Sequence, residues 1–470
     1  MVTMSVARLA ELTSGTIVAG TGDLVFTGVG IDSRHTPAGG AFFALPGDRS
    51  DGHVWVPGAL GSGARVAVVS RWDDTAAAVA ASASSGEFAA VLVPETAAAL
   101  RSLASANRAS LRCPVIAITG STGKTSTKDF VAAALGAGRS VVATRGNRNN
   151  ELGVPLTLLE ADNATDLLVV EMGMRAEGEI AALCAIARPT IGIVTNIGQT
   201  HLEALGSQDA IVRAKGELVA CVPSTGMVFL NGDDERSRSL AAASSAPVTW
   251  YGLSEGVDVR ASDIEVDETG RATFTLTADV GSITVSLPVP GRHNAYNAAA
   301  AAAAALYLGT TLDEIAAGLA AAVTTDMRMQ VFTASTGVVV VNDAYNASPT
   351  SMRAALATLV DMRAAGRRIA VLGDMAELGS LTELAHFSLG EVVARSGIDV
   401  LVTVGARALR IADGAVAEGM EPSDVRPCEG VEEASEVLDD LLAPGDLVLV
   451  KASRCMQLER IIEGMLNPHV

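Results

Sequence analysis

Cysteine, basic residues and long apolar runs are all scarce in this 470-residue sequence. Its five cysteines are scattered and lack the spacing of metal ligands, so we expect reduced thiols in packed cores and neither disulfides nor a zinc site. The formal net charge of −19 argues against a nucleic-acid partner, because binding phosphates needs clustered lysine and arginine. No run of about 18 strongly apolar residues occurs, so we expect no membrane insertion.

The N-terminal segment lacks a charged stretch followed by a long apolar one, and we therefore expect a cytoplasmic protein. No residue pattern indicates the oligomeric state, and a monomer is expected. The length predicts about three domains. Changes of pattern along the chain place them at residues 1–97, 98–326 and 327–470.

The pattern of strands and helices predicts an α/β fold. Residues 1–97 are expected to form a small mixed domain with strands at 41–45 and 65–70. From Cys113, apolar strands alternate with helices, which predicts a mostly parallel, doubly wound sheet. Over residues 257–289 apolar side chains recur at every second position, which predicts an antiparallel insertion. The third segment predicts a Rossmann-like domain without G-x-G-x-x-G after its first strand, so dinucleotide binding is not supported.

The most informative segment is Val115-Ile-Ala-Ile-Thr-Gly-Ser-Thr-Gly-Lys-Thr-Ser126, in which an apolar strand turns through glycines into a helix. Backbone N–H groups and the N-terminus of such a helix bind phosphate oxygens. Lys124 supplies a mobile cation, and Thr125 stands where a magnesium ligand is expected. The loop is a variant, because Ile118 occupies the first glycine position of G-x-x-x-x-G-K-[ST]. The alternative is a glycine turn with a structural role only.

Two polar residues stand at or after the ends of strands beside this loop. Glu171 ends the strand Leu167-Leu-Val-Val-Glu, and His201 follows the strand that begins at Ile191. In open parallel sheets ligands gather at the carboxyl ends of strands, so both side chains suit magnesium coordination near a triphosphate. The alternatives are a capping glutamate and a surface histidine, and for His201 taken alone the surface position is favoured.

Lys215 lies on the apolar side of a predicted helix over residues 207–221, because Ile211, Lys215 and Leu218 are spaced i, i+4 and i+7. A desolvated lysine has a lowered pKa and can react with carbon dioxide, and the resulting carbamate could bind a metal. The alternative, favoured by the residues alone, is a lysine whose amine reaches solvent at the edge of the apolar stripe.

Two polar clusters mark predicted loops of the N-terminal segment. They are Asp32-Ser33-Arg34 and Asp51-Gly52-His53. Turn-stabilising Asp and Ser side chains and an anion-binding site are equally compatible with these residues.

Four further stretches complete the pattern, at residues 147–155, 171–174, 343–352 and 372–379. With the phosphate loop they resemble the Mur ligases, which form amides with ATP in peptidoglycan precursor synthesis. The resemblance spans all three predicted domains. It favours the branch that adds D-alanyl-D-alanine to UDP-N-acetylmuramoyl-tripeptide, since the Asp-Asn-Pro-Arg motif of the diaminopimelate-adding branch is absent.

The resemblance implies roles for the nucleotide and metal sites. ATP phosphates would be bound by Gly120, Ser121, Thr122, Gly123, Lys124, Thr125 and Ser126. Asn294 would read adenine, Arg328 would reach the phosphate and Asp343 would contact the ribose. Two magnesium ions are implied, with metal ligands from Thr125, Glu171, His201 and a carbamylated Lys215. Lys124, His201, Lys215 and Arg328 would be the catalytic residues.

The resemblance also implies substrate contacts. The uridine diphosphate pocket would contain Ser33, Arg34, Asp51, Gly52 and His53, and the central cleft would offer Asn149, Asn150 and Asn346. The chain departs from the family pattern at Ser348, where a second asparagine is usual, and at Ala452, where glycine is usual.

Two other functions remain open. A folylpolyglutamate synthase would share the ATPase core but lacks the N-terminal uridine-type domain. A non-catalytic, ATP-gated binding protein would not need Glu171, His201 and Lys215 together as a second metal site.

Overall fold

The computed structural model describes residues 1–47, 50–72, 88–200 and 202–466. Within these ranges the strands assemble into sheets of five, nine and six strands, with an additional two-stranded sheet near the N-terminus. The larger sheets follow one another along the chain, which agrees with the predicted α/β class. None of the described helices has both the length and the apolar character needed to cross a bilayer.

The first part of the chain is the predicted small mixed unit. Its elements are β1 Thr3–Ser5, α1 Val6–Thr13, β2 Thr16–Ala19, β3 Val25–Thr27, β4 Val29–Gly30, β5 Ala41–Phe43, α2 Val56–Gly61, β6 Val66–Val69, β7 Ala89–Leu92 and α3 Thr96–Ser110. The five-stranded sheet has the order β2-β7-β6-β5-β4, and only β2 runs antiparallel to its neighbour. Phe42 and Phe43 point to opposite faces of this sheet and fill separate cores, as the two-residue period of a strand requires.

The central part contains the longest sheet. Its elements are β8 Val115–Thr119, α4 Lys124–Leu135, β9 Val141–Ala143, α5 Gly153–Leu159, β10 Leu167–Glu171, α6 Glu179–Ala187, β11 Ile191–Val194, α7 Leu202–Leu205, α8 Gln208–Cys221, β12 Met227–Asn231, α9 Glu235–Ser239, β13 Val248–Gly252, β14 Val259–Val266, β15 Arg271–Ala278, β16 Gly281–Pro290, α10 Asn294–Tyr307 and α11 Leu312–Ala320.

The order of the central sheet is β16-β15-β14-β13-β12-β11-β8-β10-β9. The strands from β8 to β14 are parallel, and β15 and β16 extend the same sheet through antiparallel pairings. The predicted insertion is therefore an extension of the parallel sheet. Along β8, Val115 and Ala117 face one core while Ile116 and Ile118 face the other, so helices cover both faces of the sheet.

The last part of the chain forms the predicted Rossmann-like unit. Its elements are β17 Gln330–Thr333, β18 Val339–Asn342, α12 Pro349–Asp361, β19 Arg368–Gly373, α13 Thr382–Arg395, β20 Val400–Val404, α14 Leu409–Ala417, β21 Val425–Cys428, α15 Val431–Leu441, β22 Leu447–Lys451 and α16 Glu459–Leu466. The sheet order is β17-β18-β22-β19-β20-β21, and β17 is its antiparallel edge. Because β22 lies between β18 and β19, the carboxyl ends of these three strands meet at the middle of the sheet.

The cysteines follow the prediction only in part. Cys113, Cys184 and Cys428 are buried free thiols, as expected, but Cys221 and Cys455 are exposed. Cys221 is the last residue of α8 and Cys455 lies in a short 3-10 turn after β22, so both stand where the chain leaves the packed core.

Candidate active site

The carboxyl ends of the central and C-terminal sheets line one large cavity of about 990 Å³. The central sheet contributes residues that follow or end β8, β10 and β11, and the C-terminal sheet contributes residues that follow or end β18, β19 and β22. Ligands bind at this edge in open parallel sheets. A cavity with a wall from each unit can therefore hold two reactants against each other.

The phosphate loop enters this cavity in a conformation that requires glycine. Gly120 and Gly123 have φ values of 149° and 78°, and a Cβ atom at Gly120 would collide with the side chain of Thr195. The end of β11 holds the loop in place. Thr195 Oγ1 donates a hydrogen bond to Thr122 O (2.6 Å), and Asn196 O accepts one from Ser121 N (2.9 Å). Site prediction from the sequence missed Thr195 and Asn196, since neither has a residue type diagnostic of phosphate binding.

Helix α4 begins at Lys124 directly after the loop, and Gly123 offers no capping side chain. The N–H groups of the first turn of a helix have no acceptor within that helix, so they are available to an anion. Lys124 Nζ folds back to donate to Gly120 O at 2.8 Å. Burial lowers the pKa of Lys124, the charge of Glu171 opposes this effect, and Arg328 adds to it. The loop, Lys124 and Arg328 thus form one cationic region.

Glu171 is the buried carboxylate beside the loop. It is 2% exposed, and its two oxygens accept hydrogen bonds from Thr125 Oγ1 and from Asn149 Nδ2, each at 2.8 Å. A hydroxyl and a carboxylate are hard oxygen donors of the kind that Mg²⁺ prefers, and the structure brings these two predicted metal ligands into contact. Among the described residues no cluster of three or more His, Cys, Asp or Glu side chains exists, so Mg²⁺ here would need hydroxyl, phosphate or water oxygens as well.

His201, the second predicted metal ligand, lies outside the described residues. Asn150, also predicted to contact substrate, lines the cavity, and its Oδ1 accepts a hydrogen bond from Gly153 N at 2.9 Å at the start of α5.

Lys215 points into the protein from α8, as its helical phase predicts. It is 2% exposed. Burial lowers the pKa of Lys215 well below its usual range, and the charge of Lys124 lowers it further. This burial favours the inward position over an amine that reaches bulk solvent. Lys215 is not one of the described residues that line the cavity, so its amine lies near the site without forming its wall.

Arg328 enters the cavity from the connection between the central and C-terminal sheets. Met327 and Met329 on either side have φ values of 58° and 53°, a left-handed conformation that costs energy for non-glycine residues. The guanidinium carbon of Arg328 lies 4.4 Å from the centre of the Tyr345 ring, and its buried Nε finds no acceptor in the described part of the chain. An orphaned buried donor facing Lys124 is suited to an anionic ligand.

The predicted nucleotide contacts Asn294 and Asp343 also line this cavity. Asn294 Nδ2 donates to Pro290 O at 2.8 Å, and Asn294 Oδ1 accepts from Asn297 Nδ2 at 2.9 Å, so the amide is held at the start of α10. Asp343 pairs with the buried Lys451 at 2.5 Å. Asn297, which the site prediction missed, also accepts from Thr127 Oγ1 (3.3 Å) and connects α10 to the phosphate-loop helix.

Asn346 and Ser348, in the stretch 343–352, both have partners within the protein. Asn346 lines the cavity, and its backbone carbonyl accepts from Lys451 Nζ at 2.8 Å. Ser348, one of the departures from the family pattern, caps α12 in a reciprocal arrangement with Ser351. Asparagine is an equally good N-cap, so this departure preserves the helix start. Ala452 is fully buried and does not line the cavity.

The two N-terminal clusters do not line the cavity. Asp32 accepts hydrogen bonds from the backbone N–H and the guanidinium of Arg34, whose side chain is 79% exposed. Asp51 caps a 3-10 turn, Gly52–Trp55, where the sequence predicts a loop. His53 is buried, its Nδ1 contacts Asp51 Oδ1 at 2.6 Å and its Nε2 accepts from Ser70 N at 2.9 Å. The contacts of Asp51 and His53 favour a turn-stabilising role for these two residues. In the other cluster Arg34 is exposed to solvent and Ser33 is partly buried.

Family models of the Mur ligases match most of the sequence. The Mur ligase family catalytic domain matches residues 25–108, the Mur ligase middle domain residues 118–305 and the Mur ligase glutamate ligase domain residues 327–454.

Named relatives agree over nearly the full length. The UDP-N-acetylmuramoyl-tripeptide–D-alanyl-D-alanine ligase of Bacillus subtilis (strain 168) is 36% identical over 468 residues, 99% of each chain. The crystal structure of MurF from Acinetobacter baumannii superposes with a TM-score of 0.85 at 32% identity and covers 99% of both chains. MurF from Thermotoga maritima in complex with ADP gives a TM-score of 0.76 at 27% identity, over 94% of this chain and 97% of that one.

Proposed function

The chain belongs to the Mur ligase family, and from this premise we propose that it uses ATP to join D-alanyl-D-alanine to UDP-N-acetylmuramoyl-tripeptide. The observation that carries the proposal is full-length similarity to ligases of this specificity, combined with a phosphate loop that faces a second sheet across one cavity. The protein is an ATP-dependent ligase of peptidoglycan precursor synthesis.

ATP is the nucleotide that the site suits. The phosphates would be held by the segment from Gly120 to Ser126. It consists of the loop residues Gly120, Ser121, Thr122 and Gly123 and the first turn of α4, which offer backbone N–H groups to an anion. We assign Asn294 to the adenine and Asp343 to the ribose, since both line the cavity at the ends of elements that border the loop. The ADP complex of the Thermotoga maritima relative supports this use of the cavity.

Magnesium fits the residues present. Thr125 and Glu171 would hold one ion, and His201 is proposed for a second, with Lys215 as a carbamate ligand. The charges favour this modification, because burial and Lys124 lower the pKa of Lys215, which raises the share of reactive neutral amine, and the carbamate anion would balance the neighbouring cation. Bound magnesium would neutralise charge on the phosphates and fix their geometry.

The ligation needs an activated acyl group, because oxide cannot leave from a carboxylate at neutral pH. We propose that the terminal carboxylate of the tripeptide attacks the γ-phosphorus, ADP departs and an acyl phosphate forms. Lys124 and Arg328 stabilise the charge on the transferred phosphoryl group. The amine of D-alanyl-D-alanine then attacks the acyl carbon, loses a proton and expels inorganic phosphate, which leaves an amide.

The three predicted domains divide this work. We assign substrate binding to residues 1–97, with Ser33, Arg34 and the segment from Asp51 to His53 near the uridine diphosphate. Residues 98–326 bind ATP, with Asn149 and Asn150 beside the tripeptide. Residues 327–470, with Asn346 on the cavity wall, close on the acyl phosphate, because water would otherwise hydrolyse it. We propose that the protein acts in the cytoplasm as a monomer.

The alternative functions are less well supported. A folylpolyglutamate synthase lacks the uridine-type N-terminal domain, whereas this chain has a separate five-stranded sheet in its first part. A binding protein without catalysis would not need Glu171, His201 and Lys215 together as a second metal site.

An omission experiment tests the proposal. Phosphate release and product mass are measured with ATP, UDP-N-acetylmuramoyl-tripeptide and D-alanyl-D-alanine, and again with each one omitted. We expect one phosphate per pentapeptide formed and little release from incomplete mixtures. Equal release without the dipeptide would contradict the ligase assignment, and product formation with glutamate and a folate would favour the alternative.

A further inference from the structure

On the C-terminal side of the cavity, the guanidinium of Arg454 has no part in the mechanism described above. Strand β22 lies in the middle of that sheet, and the chain continues from its carboxyl end through Ser453 into a 3-10 turn that begins at Arg454. Both residues line the cavity. Ligands of open parallel sheets bind at this position, outside the carboxyl ends of the central strands.

One edge of the Arg454 guanidinium is engaged and the other is open. Nη1 donates to Glu459 Oε1 at 2.5 Å and contacts Met327 Sδ at 3.8 Å. Within the described ranges Nε and Nη2 have no acceptor, and the side chain is 51% exposed. A guanidinium presents its N–H groups as a planar fork that binds a carboxylate through two parallel hydrogen bonds. The open edge of Arg454 therefore suits a carboxylate ligand.

Arg454 lies close to the groups that act on the phosphoryl group. Its neighbour Met327 directly precedes Arg328. Burial raises the pKa of Tyr345, and the charges of Arg328 and Arg454 oppose this rise while Glu171 adds to it, so all three charges lie near this one ring. An extended dipeptide spans about 7 Å. A dipeptide held by its carboxylate at Arg454 can thus direct its amine towards the reacting centre.

The dipeptide is the reactant that still needs a cation. Lys124, Arg328 and the loop N–H groups face the phosphates, and the tripeptide carboxylate is consumed by activation. We propose that Arg454 binds the C-terminal carboxylate of the incoming D-alanyl-D-alanine, with Ala376 and Leu378 of the same wall beside its methyl groups. Arg454 then selects a dipeptide with a free carboxylate. This inference rests on the proposed function, because it concerns the amino substrate of that reaction.

The test compares D-alanyl-D-alanine with its C-terminal amide as substrates. The wild-type chain should prefer the acid by about 10- to 100-fold in kcat/KM, the range expected for hydrogen bonds to a charged group. In Arg454→Ala the kcat/KM for D-alanyl-D-alanine should fall to the kcat/KM for its C-terminal amide. The kcat/KM for the amide and the KM for ATP should change little. Arg454→Lys should keep part of the preference. Arg460→Ala is the matched control, since Arg460 pairs with Glu432 at 2.8 Å and does not line the cavity.

Several results would overturn the inference. They are equal use of acid and amide by the wild-type chain, an equal loss on both substrates in Arg454→Ala, and a rise in KM for ATP alone. Circular dichroism checks the fold of each variant. If Arg454→Ala unfolds, the ratio of kcat/KM for the acid to that for the amide is compared between the wild-type chain and Arg454→Lys, and an equal ratio would overturn the inference. Failure of the proposed function is distinct, because the wild-type chain would then release no phosphate with either dipeptide.

Discussion

Replacing Lys215 with alanine should nearly abolish turnover while the protein stays folded. Lys215 is buried on α8, and its pKa is lowered by burial and by the charge of Lys124. An ammonium ion there is doubly unfavourable, whereas a carbamate would be attracted to Lys124. The variant removes this anion from the neighbourhood of the phosphoryl group, and loss of a preorganised charge typically costs about 3 kcal/mol or more, which is over 100-fold in rate.

The effect on stability should be small by comparison. Removing the side chain loses about three buried methylenes, at about 0.8 kcal/mol each. A second term opposes this loss. Because the folded pKa of Lys215 lies below its unfolded value of 10.5, the unmodified lysine costs nothing above that pH, and the cost grows as pH falls towards the folded pKa. Compared with protein whose Lys215 is unmodified, the variant is relieved of this cost at neutral pH, so its unfolding free energy should change by less than the methylenes alone indicate.

Chemical rescue and isotope labelling measure the role of the amine. Acetate or formate should enter the vacated space and restore part of the phosphate release of Lys215→Ala, whereas chloride at equal ionic strength should not. With ¹³C-bicarbonate a carbamate signal should appear in the wild-type NMR spectrum and vanish in the variant. Lys128→Ala is the matched control, because Lys128 is also buried but its amine already bonds Thr144 O (2.9 Å) and Asp129 (2.7 Å). A fully active Lys215→Ala, or an inactive one indifferent to carboxylates, would refute the reasoning.

Three further changes test the assigned parts. Lys124→Ala should lower kcat by about 100-fold or more with unchanged thermal unfolding, and near-normal turnover would refute the phosphate-loop assignment. Arg34→Ala should raise the KM for the uridine substrate and leave the Kd for ADP unchanged, as titration calorimetry can measure; equal losses for both ligands would exclude substrate binding by the N-terminal domain. Thr195→Val removes the 2.6 Å bond to Thr122 O at constant volume and should weaken ADP binding about 10-fold, while unchanged ADP affinity would mean that the loop is held without it.

The strongest local patterns predicted the elements that carry the site. The strand before the phosphate loop and the burial of Lys215 follow from residue spacing, because a strand with four apolar residues of five and an i, i+4, i+7 stripe each have few alternatives. The helices α14, α15 and α16 were missed. A signal was present in the sequence, because each of these helices has a buried apolar face and a polar one.

Contacts between distant segments could not be predicted in the same way. The bonds from Thr195 and Asn196 to the phosphate loop depend on β11 pairing with β8, and that pairing is a property of the whole sheet. The contact between Asn149 and Glu171 likewise joins a loop to the end of strand β10. Similarly, His53 contacts Asp51 within its own turn and Ser70 after β6, a segment that is apart in the sequence, and residue types alone left the role of this turn open.

The central claim is that the amide forms through an acyl phosphate, and transfer of an isotope tests it directly. The tripeptide substrate is prepared with ¹⁸O in both oxygens of its terminal carboxylate and is turned over with ATP and D-alanyl-D-alanine. An acyl phosphate intermediate requires that each inorganic phosphate released carries one ¹⁸O atom and that the other remains in the new amide, as mass spectrometry would detect. Phosphate free of ¹⁸O, released in step with amide formation, would contradict it.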